Sequence, residues 1–250
     1  MLTCNTAANG TFTTGATDPV GVSTGITLMS GDVSLMAAAA SVGPESSFFT
    51  PSLSDADLAT LAGGTTNDAC VLEFDFKAAG DTIKFDYVFA SEEYPEFACS
   101  GFNDVFGFLI SGGVTAPPTT YATPYNIARV PGTNIPVCIN SVNSAPTGTP
   151  YAITGCTSLG PGSPFGMYYI DNAASTFLVF DGKTTVLQAV AAVSPCDTYH
   201  LKLGIADVGD NAYNSAVFIK GGSLTSTTTT LVSATGTSGL PYCIRGCGPG

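Results

Sequence analysis

From residue 71 onward, apolar and polar side chains alternate: Leu72, Phe74 and Phe76 are interleaved with Glu73 and Asp75, and Ile83, Phe85, Tyr87 and Phe89 with Lys84 and Asp86. Successive side chains point to opposite faces only in an extended strand, so this stretch is committed to a sheet with one dry face. The short connection Ala78-Ala79-Gly80-Asp81 predicts a β-hairpin between the two runs. The pattern returns where Tyr199, Leu201, Leu203 and Ile205 face one way and His200 and Lys202 the other. Residues 105–110 (VFGFLI) are apolar at both parities, as expected of a strand covered on both faces.

Further strands are expected at 126–130, 137–142, 177–180, 186–193 and 215–219, with short strands and loops in the first 50 residues. Residues 111–165 are rich in Pro, Gly, Thr and Asn and read as the loop-rich, variable part. One short helix is expected where Ser54 serves as N-cap, Asp57 follows three later, Leu58 and Leu61 share a face and Gly63-Gly64 stops the run. Only 10% of the residues are charged, which disfavours amphipathic helices. The fold class is therefore all-β: an antiparallel, jelly-roll-like β sandwich with one short helix. Residues 1–224 form the sandwich domain, and the Thr/Ser/Gly-rich residues 225–250 form a C-terminal strand or tail.

Seven Lys and Arg against 19 Asp and Glu leave a net charge of −12. That balance repels nucleic acid and anionic membranes and makes divalent cations the plausible charged partners. No apolar run is long enough to span a bilayer, so direct membrane insertion is not expected. The opening MLTCNTAANG lacks the basic and apolar regions of a signal peptide, so the chain reads as a mature or trimmed form of an exported protein. Eight cysteines, Cys4, Cys70, Cys99, Cys138, Cys156, Cys196, Cys243 and Cys247, occur without zinc-type spacing. They are disulfide candidates in an oxidising compartment. Roughly a hundred complete pairings are possible, so connectivity stays open, as does whether one or more remains a free thiol.

Acidic residues gather where strands begin and end. Glu92, Glu93, Glu96, Asn103 and Asp104 flank two apolar strands, and Asp207, Asp210 and Asn211 follow a third. If these ends meet, Glu92, Glu93, Asp104, Asp207, Asp210 and Asn211 form an oxygen-rich candidate metal site, suited to calcium rather than zinc. The competing reading is that these acids are solvated or cap turns. Tyr94, Phe97 and Phe102 either stack on a ligand such as a sugar ring or anchor the loop. Glu92 with Asp104 is the best geometric candidate for a glycosidase pair. His200 is the sole histidine through which a Ser-His-Asp triad could run, and neither a GxSxG elbow nor a phosphate-binding loop is present. No catalytic assignment follows.

Residues 88–107 (VFASEEYPEFACSGFNDVFG) resemble the choice-of-anchor L domain family. The likeness continues through 126–143 (NIARVPGTNIPVCINSVN), 168–172 (YYIDN), 180–187 (FDGKTTVL), 196–210 (CDTYHLKLGIADVGD) and 214–224 (NSAVFIKGGSL). The resemblance implies a secreted bacterial protein displayed at the surface; C-terminal anchoring signals vary in this family and include the type IX signals of Bacteroidota. It says little about biochemical activity. The leading expectation is a non-catalytic adhesive or structural module, stabilised by disulfides and by calcium. A self-assembling subunit of an extracellular filament or sheath, built by strand addition, is one alternative. A carbohydrate-binding or carbohydrate-active protein is the other. Expected partners are other surface proteins, glycans or copies of itself.

Overall fold

The computed structural model describes residues 1–40, 47–114, 119–145 and 154–227. In chain order its elements are β1 (Leu2–Thr3), β2 (Asn9–Thr13), β3 (Thr24–Met29), α1 (Ala56–Ala62), β4 (Thr66–Lys77), β5 (Thr82–Ser91), β6 (Val105–Gly112) and β7 (Tyr121–Asn126). There follow α2 (Thr154–Thr157), β8 (Tyr169–Asp171), β9 (Gly182–Thr184), β10 (Leu187–Ala192), β11 (Thr198–Val208), β12 (Ser215–Lys220) and β13 (Thr225–Thr227). Cys243, Cys247 and the tail beyond residue 227 lie outside the described residues.

Two antiparallel sheets face each other. The five-stranded sheet runs β1-β4-β11-β6-β7; the eight-stranded sheet runs β2-β3-β12-β5-β9-β8, with β10 and β13 also pairing to β5. The all-β sandwich read from alternation is therefore present. The expected hairpin is not: β4 pairs with β1 and β11 in one sheet, whereas β5 pairs with β12, β13, β9 and β10 in the other. The connection at Ala78 arches across the core, held by bonds from the Cys196 N–H to the Ala78 carbonyl and from the Val193 N–H to the Asp81 carbonyl. An arch sets the apolar faces of its two strands against each other, whereas a hairpin would lay them side by side.

Between the sheets, β5 and β6 interlock through aromatic rings. Phe89 stacks on Phe106 at 5.0 Å, and Phe85 and Tyr87 meet Phe108 edge-on at 4.8 and 5.0 Å. Such contacts add to the area term for burying large rings. Residues 105–110 are apolar at both parities because α1 covers the outer face of their sheet. Leu58 is fully buried among Val71, Val105 and Ala206. Gly107 permits that approach, since a Cβ there would lie 2.9 Å from Leu61 Cδ2. The N-cap of α1 is Asp55 rather than Ser54: its Oδ1 accepts from the Asp57 and Leu58 N–H groups, both at 3.0 Å.

Three of the expected strands are corrected. Residues 126–130 are not a strand; β7 ends at Asn126, whose side-chain Oδ1 accepts from the N–H groups of Phe108 and Ala128 and so replaces the ladder. Residues 137–142 form turns closed on the Cys138 carbonyl, with one isolated bridge from Cys138 to Val105. Residues 177–180 are buried at Leu178, Val179 and Phe180 but irregular, because the Asn172 side chain takes the carbonyls of Leu178 and Phe180.

Cys4–Cys70 ties the N-terminal segment to β4, and Cys99–Cys156 ties the loop after β5 to α2. Cys196 is disulfide-bonded as well. As a disulfide candidate Cys138 is corrected: it is a buried free thiol, enclosed in a turn where Ser141 Oγ accepts from its N–H.

Candidate functional site

The inward parity of six strands continues past the aromatic core into polar residues. Leu28, Cys70, Phe89, Phe106, Ile205 and Val217 all belong to the inter-sheet core. Two residues along each strand, toward the same end of the sandwich, stand Ser30, Asp68, Ser91, Asp104, Asp207 and Ser215, all buried. One end of the dry layer is therefore a sealed polar layer. It is cross-linked from sheet to sheet: Ser215 Oγ donates to Asp104 Oδ2 at 2.6 Å and lies 2.8 Å from Ser91 Oγ, and the Ser215 N–H donates to Ser30 Oγ at 2.9 Å. Asp104 Oδ1 accepts from the Val208 N–H at 3.0 Å, and beside this join the ladder between β4 and β11 shifts register, with Ile205 opposite Cys70 but Asp207 opposite Asn67.

Four of the six residues expected to gather are buried at this end of the sandwich. Glu92, Glu93, Asp104 and Asp207 are 3%, 1%, 1% and 0% exposed, so they are sealed rather than solvated. Asp210 is exposed, accepting from the Ala212 N–H, and Asn211 is half-buried on the same turn. Glu96 is exposed, and Asn103 Oδ1 accepts from the Asn140 N–H. Asp68, the third residue of β4, was not among the expected members; it has φ of 48° and is 1% exposed.

Burial and mutual repulsion raise Glu93, Asp104 and Asp207 above the usual carboxylate range. Glu93 is raised chiefly by desolvation, then by Asp104, Asp210 and Glu92. Desolvation also dominates at Asp104, opposed by hydrogen bonds from Ser215 and Val208. Asp207 is raised by desolvation, then by the charge of Asp104, with Asp68 and Glu93 adding to it. The charged neighbours that shift these three groups are all acidic. Among the described residues, no three Asp, Glu, His or Cys side chains stand at metal-ligand spacing.

The aromatic candidates separate. Tyr94 is fully buried and its hydroxyl donates to the Val142 carbonyl at 2.7 Å. Phe97 and Phe102 are half-buried and meet edge-on at 5.6 Å, and Tyr213 packs on Phe97 at 4.8 Å. Tyr213 is acted on by Glu92, Glu93 and Asp210, so this ring cluster lies beside the acids. The loop carrying it is pinned: Asn140 accepts from the Cys99 N–H and donates to the Ser100 carbonyl, next to the Cys99–Cys156 bond. Gly155 is required there, because a Cβ would lie 2.0 Å from the Cys99 carbonyl oxygen.

His200 is remote from this end. On the outer face of its sheet, its Nδ1 meets Asp75 at 2.8 Å and its Nε2 meets Glu73 at 3.5 Å. Both ring nitrogens face carboxylates, which leaves neither directed at a serine hydroxyl.

Residues 2–225 match the family model of the choice-of-anchor L domain. No curated protein and no solved structure matches the chain. Among the described residues, no helix is long and apolar enough to cross a membrane.

Proposed function

The chain belongs to the choice-of-anchor L domain family, and from that premise we propose that it is a non-catalytic module displayed on a bacterial cell surface, serving as an adhesive or structural unit. The observation that carries this reading is the extent of the family match. It runs from β1 to the first residue of β13, so it takes in both sheets and the arch between them. The match therefore spans the sandwich as a whole.

Two features support the non-catalytic part. Glu92 and Asp104, the pair best placed for glycoside hydrolysis, are 3% and 1% exposed, whereas a glycosidase pair must flank a cleft that admits a sugar ring. The single histidine is engaged by two carboxylates. The disulfides support passage through an oxidising compartment.

The test is antibody labelling of intact source cells, compared with permeabilised ones and paired with a glycoside-hydrolysis screen of the purified chain. Labelling of intact cells without turnover is expected. Labelling confined to permeabilised cells overturns surface display, and turnover that is lost on Glu92→Gln overturns the non-catalytic assignment.

A further inference from the structure

The polar layer contains groups that its own hydrogen bonds do not satisfy. Asp207 is fully buried, and neither carboxylate oxygen completes a hydrogen bond of good geometry, although Ser30 and Asp104 lie beside it. Glu93 is 1% exposed and its Oε2 has no hydrogen-bond partner. The two residues come from opposite sheets: Asp207 from the end of β11, and Glu93 from just beyond the end of β5. A buried carboxylate without a partner is costly, because the protein must either supply a counter-charge or keep the group protonated.

We propose that this end of the sandwich is a divalent-cation site, suited to calcium, in which Asp207 and Glu93 bind the ion from opposite sheets and Asp104 and Asp68 complete the acidic wall. Calcium accepts carboxylate oxygens in flexible geometry and needs no nitrogen or sulfur ligand, which matches an all-oxygen pocket of acids and serines. The lysines with described partners are committed elsewhere: Lys202 pairs with Asp55 and Asp57, Lys183 donates to the Pro19 and Val20 carbonyls, and Lys220 pairs with Asp86. Among the described residues the acids do not stand at ligand spacing, so ion binding requires the ends of β5 and β11 to shift toward each other. The ion acts as a non-covalent staple where the aromatic packing stops. Asp210 is exposed on the turn after β11, and the Phe97, Phe102 and Tyr213 rings pack together beside the acids.

The test uses the full chain stripped with EDTA and titrated with calcium chloride, followed by thermal melting. Saturating calcium at about a hundred times its dissociation constant is expected to raise the melting temperature by about 5–10 °C. Asp207→Asn and Glu93→Gln are each expected to lose most of that rise while melting in EDTA close to the parent, since each keeps the shape of the side chain and removes only its capacity to carry the negative charge that holds the ion. The parent chain supplies a second readout should a variant fail to fold. It has ten tyrosines and no tryptophan, so terbium bound beside Tyr213 should show tyrosine-sensitised emission that excess calcium quenches by displacement. A parent chain with neither a calcium-dependent rise nor displaceable terbium emission overturns the proposal. So does a rise that persists undiminished in folded Asp207→Asn.

Discussion

The middle of the sandwich and its acidic end are built from the same strands, yet they solve opposite problems. In the middle, Phe85, Phe89, Phe106 and Phe108 interlock across the gap and need nothing from outside. At the end, the same inward parity delivers Asp68, Asp104 and Asp207, whose burial costs free energy. Nothing in strand geometry distinguishes the two: one pleat supplies both, and only the residue type changes. Apolar closure is self-sufficient, whereas polar closure depends on hydrogen bonds, crosslinks and counter-charges.

The largest effect should come from the middle. Phe106→Ala removes a ring that contacts Phe89, Tyr87 and Phe108, and should cost about 3–5 kcal/mol in urea unfolding. The loss should be the same in calcium and in EDTA. A loss that depends on calcium would break the division between the regions.

Next is the crosslink beside the acidic end. Replacing both Cys99 and Cys156 by Ala opens a loop whose ends are 57 residues apart in sequence; it should cost about 2–4 kcal/mol and expose the loop after β5 to limited proteolysis. Unchanged proteolysis would show that Asn140 alone holds this end.

The smallest effect tests a polar misfit within the middle. The Tyr87 hydroxyl is fully buried without a hydrogen-bond partner, and desolvation alone pushes its ionisation far out of reach. Tyr87→Phe should range from neutral to about 1 kcal/mol more stable in chemical denaturation. A clear destabilisation would mean that the aromatic middle contains a polar contact after all.

Much of the sandwich was legible from alternation. The faces of β11 and the burial of 105–110 follow directly from period and composition. The partner of β5 was not legible, because an apolar face is compatible with a hairpin or an arch, and Ala78-Ala79-Gly80-Asp81 carries no Asn-Gly or Asp-Gly turn signature that would decide. The strands expected at 126–130 and 177–180 failed because Asn126 and Asn172 side chains supplied the bonds a ladder would have made. At the site, Asp207 continues the series Tyr199, Leu201, Leu203, Ile205, so its inward direction was written in the alternation. Asp68 follows Phe74, Leu72 and Cys70 at the same spacing in sequence, although its φ of 48° and the register shift between Cys70 and Asn67 interrupt the pleat there. Treating acids at strand ends as loop residues hid that regularity, and their meeting in space depended on a strand order that alternation does not encode.

The bond from the Ser215 N–H to Ser30 Oγ joins positions 185 residues apart, and β12 lies between β3 and β5 in the larger sheet. Contacts of such long sequence separation form late, because the loop they close must first lose its freedom. A ribosome or a translocation channel releasing this chain from its N-terminus would hold an unfinished sheet until residue 220 had emerged. Delivery is therefore nearly all-or-none: the first two-thirds of the polypeptide lack the strand that joins β3 to β5, and the last strands complete what the first began.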